Sequence, residues 1–324
     1  MRRRYFLVLG SSAAAVWPFN ARGQQPGRTY RVGALIFAQW ERQDQVAFRE
    51  ALRRLGFVEG QNLIIDRSGF GLRAEQFAEH ARALVTNKVD AIFCGGDAAI
   101  RAAQQATTDI PILAIADDMV ASGLVPSLTN PGGNTTGVSI LSPELDNKRL
   151  GLLLELIPNA RRIAALVDSS STTPNQFKML QDAARARSVE LSSHSIARPE
   201  EIGAAIAAAQ AAGAAGLTVL ASPLFYANRA IIFERAAALG LPAIYHLPEM
   251  GRDGGLIAHG PSISRIFSDQ MARLMAKLLQ GTKPADIAIE QPSKFELVIN
   301  LKTARALGIA ASAVLLGTAD DVIE

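Results

Sequence analysis

The sequence has little of the chemistry that catalytic and metal-binding sites require. It contains a single cysteine, Cys94, so no disulfide can form within the chain. The four histidines, His80, His194, His246 and His259, lack the spacing of metal ligands, and we expect neither a metal ion nor a cofactor. Nucleophile elbows, dinucleotide-binding glycine motifs and phosphate loops are also missing. We therefore expect no catalytic residues and no enzymatic activity.

Without residues 1–23, the chain has nearly equal numbers of basic and acidic side chains. The chain carries 33 basic and 30 acidic side chains. Four of the basic residues lie within residues 1–23, which contain no acidic residue, so 29 basic residues remain against 30 acidic ones. A near-neutral chain has no electrostatic footprint for DNA or RNA, and we expect no nucleic-acid partner.

Residues 1–23 have the order of features of a secretory signal peptide. Basic residues at positions 2–4 precede an apolar stretch that ends near Phe19, and Ala21-Arg22-Gly23 supplies small residues around a cleavage site. The apolar stretch is too short for an ordinary membrane-spanning helix, although an uncleaved anchor is the alternative interpretation. The segment Arg3-Arg4-Tyr5-Phe6-Leu7 resembles the twin-arginine export motif. We predict cleavage after Gly23 and a periplasmic location, reached by either the twin-arginine or the general export route.

The remaining sequence alternates apolar strands with amphipathic helices, in two rounds. The first round predicts strands at 30–36, 62–67, 89–94, 110–116 and 136–141, with helices at 42–55, 74–85 and 98–106. The second round predicts helices at 144–157, 174–187, 199–212 and 226–239, with strands at 162–168, 189–196, 216–221, 242–246 and 255–259. Alternation in units of about 30 residues is typical of parallel sheets with right-handed crossovers. We predict an α/β fold of two doubly wound parallel-sheet lobes, with an extra helix at 262–280 and a strand at 291–301.

Several blocks of sequence together resemble one known family. They include Pro131-Gly132-Gly133-Asn134-Thr135-Thr136-Gly137 and residues 53–63, 241–245, 254–256 and 295–304. The chain is similar over these blocks to the substrate-binding proteins of ABC importers, in the family that includes tryptophan-binding members. This resemblance implies a type I periplasmic binding protein fold whose lobes are joined by a multi-crossing hinge. It assigns lobe 1 to residues 28–141 plus 262–283, and lobe 2 to residues 142–261 plus 284–324.

The resemblance also implies a function. The lobes would close on an amino acid or another small, for example aromatic, molecule and deliver it to an ABC permease in the inner membrane. We expect the protein to be a monomer. A ligand-binding sensor of the same fold, reporting to a membrane receptor, is the alternative. A sugar-responsive repressor of this fold is disfavoured because an export signal occupies the place of a helix-turn-helix.

Candidate ligand-binding residues follow predicted strands, because loops at the carboxyl ends of strands line the clefts of such folds. Hinge closure then surrounds a ligand from both sides. The candidates are Phe37, Ala38, Gln39, Gly95, Gly96, Asp97, Asp117 and Asp118 in lobe 1, and Ser169, Ser170, Ser171, Ser222, Tyr245 and Glu249 in lobe 2, with Pro223 and His246 beside them.

Each of these candidates also has a purely structural interpretation. Phe37 and Tyr245 either stack on a ligand or pack in the core. A hydroxyl of the loop 169–173 either contacts a ligand or caps the next helix. Asp97 stands where relatives generally have a small hydroxyl residue, so it either caps helix 98–106 or favours a ligand with an amine or an uncharged group at that wall. Asp117 and Asp118 either bind a ligand ammonium or cap a surface turn.

Overall fold

The computed structural model describes residues 27–40, 42–140 and 143–324. The predicted signal peptide, its cleavage site and the twin-arginine motif lie outside these residues. Within them the chain forms two separate β-sheets flanked by helices, which confirms the predicted α/β class. The chain passes between the two sheets three times, after the first sheet is complete and again before and after one long helical segment.

The first sheet has five parallel strands in the order β2-β1-β3-β4-β5. Its strands are β1 (Tyr30–Leu35), β2 (Leu63–Ile65), β3 (Ala91–Gly95), β4 (Ile112–Ala116) and β5 (Thr135–Ser139). Helices α1 (Gln43–Arg54), α2 (Phe77–Thr86) and α3 (Asp97–Ala106) connect them. Strands β3, β4 and β5 are buried along their whole length, which explains the near-continuous apolar sequences of β3 and β4. The strand order reverses at β1 and β3, where ligands of open α/β sheets bind.

The second sheet has seven strands in the order β12-β11-β10-β9-β8-β6-β7. Its strands are β6 (Arg162–Asp168), β7 (Glu190–Ile196), β8 (Leu217–Val219), β9 (Ala243–Tyr245), β10 (Ile257–Gly260), β11 (Glu296–Asn300) and β12 (Asp321–Ile323). Its helices are α4 (Pro143–Leu156), α5 (Pro174–Ala186), α6 (Ile202–Ala211), α7 (Pro223–Ala227), α8 (Arg229–Ala238), α9 (Pro248–Arg252), α12 (Leu301–Ala306) and α13 (Ala313–Thr318). Strand β11 is antiparallel to β10, unlike the other pairs, because the chain leaves this sheet after β10 and returns from the first lobe.

The segment between β10 and β11 packs against the first lobe. It consists of α10 (Ile263–Arg265), a π-helical stretch (Ile266–Met271) and α11 (Ala272–Leu279). All three contact α1. Phe267 of the π-helical stretch lies 5.5 Å from Phe93 and 6.0 Å from Phe48, measured between ring centroids. The sequence predicted one uninterrupted helix here. π-helical turns are frequent at functional sites, and this one aims a ring towards the space between the lobes.

Several other predicted elements differ from the structure. The helix predicted at 226–239 is two helices, α7 and α8, because Ser222 accepts hydrogen bonds from two backbone amides and Pro223 starts a helix earlier than the apolar period suggests. The strand predicted at 291–301 covers only β11, and the one at 62–67 covers only β2. Helices α9 and α13 and strand β12 were not predicted at all, since each is too short for periodicity to show.

Candidate functional site

A cavity lies between the two lobes, at the carboxyl ends of the strands of both sheets. It encloses about 80 Å³. The residues that line it are Ile36, Phe37, Ala38, Asp44, Gln45, Gly95, Ile115, Ala116, Asp117, Ile140, Ala221, Ser222, Pro223, Tyr226, His246, Leu247, Ile263 and Phe267. Both lobes therefore contribute walls, and the lining is mostly apolar.

The lobes touch beside this cavity at Gly96 and Pro223. Gly96 has φ +89° and ψ 159°, a conformation that is essentially restricted to glycine. A Cβ atom at Gly96 would meet Pro223 Cγ at 2.8 Å. The glycine that follows β3 is thus required both by its backbone conformation and by the close approach of the second lobe.

Three buried polar atoms on the cavity lining have no hydrogen-bond partner among the described residues. They are Gln45 Oε1, Asp117 Oδ1 and His246 Nδ1. Their side chains are respectively 1%, 8% and 2% exposed. Because buried polar atoms are nearly always paired, three such atoms on one cavity indicate a polar ligand that supplies the missing partners. The two oxygens can accept hydrogen bonds from a ligand.

Asp117 also connects the cavity to the second lobe through hydrogen bonds. Gln176 Nε2 donates to Asp117 Oδ2 at 3.3 Å and to Asp146 Oδ2 at 2.8 Å. Asp146 in turn forms a buried ion pair with Arg149, at 2.7 Å between Oδ1 and Nη1. Arg149 donates to the backbone oxygens of His259 and His246, at the ends of β10 and β9. One chain of hydrogen bonds therefore runs from the cavity wall of the first lobe, through helix α5, into the core of the second.

Burial sets the protonation of the polar groups in the cavity. Burial, together with repulsion from Asp146, raises the pKa of Asp117 well above its usual value, although Arg149 and Gln176 oppose this. Burial and the nearby Arg149 lower the pKa of His246 to about 3, so this imidazole is neutral at neutral pH. His246 therefore contributes a hydrogen-bonding nitrogen to the cavity and no positive charge.

Asp97 comes two residues after Gly95, which lines the cavity, and is 4% exposed. Helix α3 begins at Asp97 itself, with Gly96 in the N-cap position, so the helix is not capped by this side chain in the manner that the sequence suggested. Burial raises the pKa of Asp97 to about 6, opposed by Ser122 and Arg101 and reinforced by Asp168 and Asp118. This carboxylate thus adds negative charge next to the cleft.

The serines of the second lobe are largely occupied by Asp168. Ser170 donates its amide at 2.8 Å and its hydroxyl at 2.7 Å to Asp168 Oδ1. The Ser222 hydroxyl donates to Asp168 Oδ2 at 2.5 Å and accepts from the amides of Leu224 and Phe225. Helix α5 is capped by Thr173, whose hydroxyl accepts from the Gln176 amide. The Ser222 side chain borders the cavity with its hydrogen-bonding capacity already used.

Of the predicted candidates, Phe37, Ala38, Gly95, Asp117 and Ser222 line the cavity, as do the neighbouring Pro223 and His246. Gln39 lines a second, larger opening of about 660 Å³, together with Arg42, Arg73, Arg198 and Asn228. The remaining candidates, Gly96, Asp97, Asp118, Ser169, Ser170, Ser171, Tyr245 and Glu249, do not line the cavity. Direct contact of those residues with a ligand stays a prediction.

Local contacts explain why some of these candidates point elsewhere. Asp118 Oδ1 accepts from the amides of Val120 and Ala121 in a turn. Tyr245 packs edge-on against Phe233 at 5.1 Å between ring centroids, inside the second lobe. Glu249 accepts a hydrogen bond from the Ser262 hydroxyl at 2.7 Å.

Sequence reasoning missed the cavity residues that do not follow a strand. Asp44 and Gln45 come from the first turn of α1, Tyr226 from α7, and Ile263 and Phe267 from the helical segment after β10. One signal was available in the sequence of α1. Asp44 and Gln45 are polar, yet they share the buried helix face with Phe48 and Leu52.

Arg42 lines the larger opening and contacts residues of both lobes. Its guanidinium lies 4.1 Å from the centroid of the Tyr226 ring, across the cleft, and its Nε is 3.2 Å from Asp44 Oδ1. The positive charge of Arg42 is therefore shared between a carboxylate of its own lobe and an aromatic face of the other. Among the described residues, no cluster of histidine, cysteine and acidic side chains could hold a metal ion, and no helix is long and apolar enough to cross a membrane.

Comparisons with known proteins agree with the fold. A tyrosine-binding protein of Clostridioides difficile is 29% identical over 266 residues, which cover 80% of this chain and 75% of the relative. A solved structure from Streptococcus pneumoniae, an ABC domain in complex with L-Trp, has a TM-score of 0.79 at 23% identity and covers 91% of this chain and 100% of its own. A conserved domain protein from Vibrio cholerae has a TM-score of 0.80 at 22% identity, with coverages of 91% and 99%.

Because the two solved structures are only 23% and 22% identical to this chain, they show that it shares their fold and no more. The family assignment rests on a family model described as ABC transporter substrate binding protein, which matches residues 42–323. That match spans most of the chain and includes every block of sequence on which the resemblance depended, from residue 53 to residue 304. The chain belongs to the family of ABC transporter substrate-binding proteins.

Proposed function

We propose that this protein is the exported solute-binding component of an ABC importer and that it closes on a small, mostly apolar molecule bearing a protonated amine, such as an aromatic amino acid. The observation that carries the proposal is the unpartnered Oδ1 of Asp117, buried on an apolar cavity between two lobes. A ligand ammonium supplies both the missing hydrogen bond and the missing counter-charge at this oxygen.

An aromatic ligand is consistent with the cavity lining and with the relatives. Phe37, Tyr226 and Phe267 offer ring surfaces. The relatives include a tyrosine-binding protein and a complex with L-Trp. The cavity encloses about 80 Å³, whereas a dry protein cavity of about 150 Å³ holds one benzene ring. Entry of an aromatic ligand therefore requires the lobes to separate and to close again around it, as a hinged binding fold allows.

Export and delivery complete the proposal. The basic and apolar segments of residues 1–23 direct the chain to the periplasm, where the closed, loaded form docks on a membrane permease. Solute-binding proteins act by binding and release, and we propose no catalytic step. The protein acts as a monomer.

A thermal-shift screen of the purified protein tests this function. At 100 times its dissociation constant, a ligand that binds only the folded state adds about 2.7 kcal/mol to the free energy of unfolding. We expect aromatic amino acids or their amine derivatives to raise the melting temperature and sugars to leave it unchanged. Native mass spectrometry of the same preparation identifies a co-purified ligand. A panel in which no amine-bearing compound shifts the melting temperature would count against the proposal.

Replacing Gly96 by alanine will weaken binding of the ligand found in that screen by about tenfold or more. The new Cβ would meet Pro223 Cγ at 2.8 Å, and the strained backbone costs about 1–3 kcal/mol, so the closed form is disfavoured. Titration calorimetry measures the affinity. Gly60→Ala is the matched control, because Gly60 has φ +82° but open space around its Cβ position. If both variants bind equally well, the contact between Gly96 and Pro223 is not part of closure.

A further inference from the structure

The charges around the cavity are unbalanced. Asp44 and Asp117 line it, and no lysine or arginine does. Arg149 and Arg42 are each engaged by a carboxylate, Arg149 by Asp146 at 2.7 Å and Arg42 by Asp44 at 3.2 Å. Asp117 therefore has no cationic partner of its own among the described residues.

Negative charge is also concentrated just behind the walls. Asp97 of the first lobe and Asp168 of the second are 4% and 2% exposed, and each raises the electrostatic cost of an anion in the cleft. Neither forms an ion pair within 4 Å among the described residues. His246, the remaining basic residue on the cavity lining, is neutral because burial lowers its pKa.

Neutral donors on the lining, namely the Gln45 amide, the Tyr226 hydroxyl and the His246 ring, carry no positive charge to offset the negative charge of a carboxylate. Other donors nearby are occupied or lie elsewhere. The Ser222 hydroxyl already donates to Asp168, and the amides of Leu224 and Phe225 already donate to Ser222. The hydroxyls of Ser171 and Thr172 are buried without partners, but these residues do not line the cavity. The unpaired oxygens that do line it, on Gln45 and Asp117, are acceptors and repel an anion.

We infer that the preferred ligand is an amine cation with an apolar, aromatic body and no carboxylate. In an α-amino acid a single carbon separates the ammonium from the carboxylate. An ammonium at Asp117 therefore forces the carboxylate into the same buried, negatively charged surroundings, where like charges cost binding free energy. An arylalkylamine satisfies Asp117 without that penalty. The inference rests on the proposed function and narrows its substrate class.

Matched pairs of compounds test the inference by titration calorimetry with the whole protein. Tryptamine and tryptophan form one pair and tyramine and tyrosine the other, and within each pair only the carboxylate differs. We expect each amine to bind at least about tenfold more tightly than its amino acid. An amino acid that binds as tightly as its amine, or more tightly, overturns the inference but leaves the proposed function standing. If no member of either pair binds, the inference and the proposed function fail together.

Substitution of Asp97 tests the source of the preference. Asp97→Ser removes a buried carboxylate and supplies a hydroxyl donor beside the N-terminus of α3, so the preference for tryptamine over tryptophan will shrink several-fold. Asp182→Asn is the control, because Asp182 is an exposed carboxylate on α5 that pairs with Lys178 and Arg185. Ser171→Ala tests the competing location for a carboxylate. If tryptophan binding depends on Ser171 and exceeds tryptamine binding in the wild-type protein, the ligand is a zwitterion and the inference is wrong.

Discussion

Replacing Arg149 by methionine will lower the free energy of unfolding by about 3–5 kcal/mol, measured by urea denaturation. The Arg149 side chain is 1% exposed and forms the buried ion pair with Asp146. Methionine leaves the Asp146 carboxylate without its counter-charge. It also removes the donors to the carbonyl oxygens of His246 and His259, at the ends of two adjacent strands. An uncompensated buried charge is among the most destabilising changes that a single substitution can make.

Two further variants separate charge from packing in this prediction. Asp146→Asn combined with Arg149→Met removes both charges, so we expect the double variant to lose less stability than the two single variants together. Arg185→Met is the matched surface control, because Arg185 pairs with Asp182 at an exposed site on α5. We expect it to have no measurable effect. If Arg149→Met is as mild as Arg185→Met, the buried ion pair does not stabilise the second lobe.

Replacing Asp117 by asparagine will weaken binding of a cationic ligand by about 100-fold or more, because a buried charge pair loses one partner. The same variant will be more stable than the wild-type protein without ligand at pH 7. The wild-type carboxylate is buried, repelled by Asp146 and raised in pKa, and the amide avoids that cost. Loss of binding combined with a gain of stability cannot result from partial unfolding. Asp182→Asn is the control for affinity, because this carboxylate is exposed on α5 and pairs with Lys178 and Arg185.

The pH dependence of Asp117 has a definite sign. A carboxyl group whose pKa is raised on folding binds more protons in the folded state than in the unfolded one, so its effect on stability becomes less favourable as pH rises above about 4. The stability advantage of Asp117→Asn should therefore grow from pH 4 towards pH 7. In the wild-type protein, affinity for an amine should rise as pH increases and Asp117 ionises. Asp146, Arg149, Asp97 and Gln176 are the groups that influence the pKa of Asp117. Affinity that does not increase with pH would refute the role of Asp117.

Strands were predictable from the sequence wherever they are buried on both faces. Strand β6 was predicted at the residues where it occurs, and β3 and β4 within a few residues, because buried parallel strands are continuous apolar runs. The short elements α9, α13 and β12 were not predictable in this way. The antiparallel direction of β11 could not be predicted either, since it depends on the path of the chain through the other lobe.

The candidate site was predictable in outline and not in its individual side chains. Loops after β1, β3, β4, β8 and β9 do border the cavity, because parallel strands bring their carboxyl ends to one edge. Two pairs of neighbours show the limit of that reasoning. Asp117 lines the cavity while Asp118 holds a turn, and His246 lines it while Tyr245 packs against Phe233. Successive side chains of an extended chain point in opposite directions, and the packing of the two lobes selects which one meets the cleft.

By itself, the sequence determined the α/β class, the two rounds of strands and helices, the family, and the two glycines and aspartate that end β3 and begin α3. Composition and periodicity are properties of the chain and need no partner. Only the tertiary structure decided what surrounds those residues. It brought Pro223 against Gly96, placed Asp97 near Asp168 of the other lobe, and assembled Gln45, Asp117 and His246 from three distant segments. Unpaired charge and unpaired hydrogen-bonding atoms exist only relative to their neighbours, so they become visible once the two lobes meet.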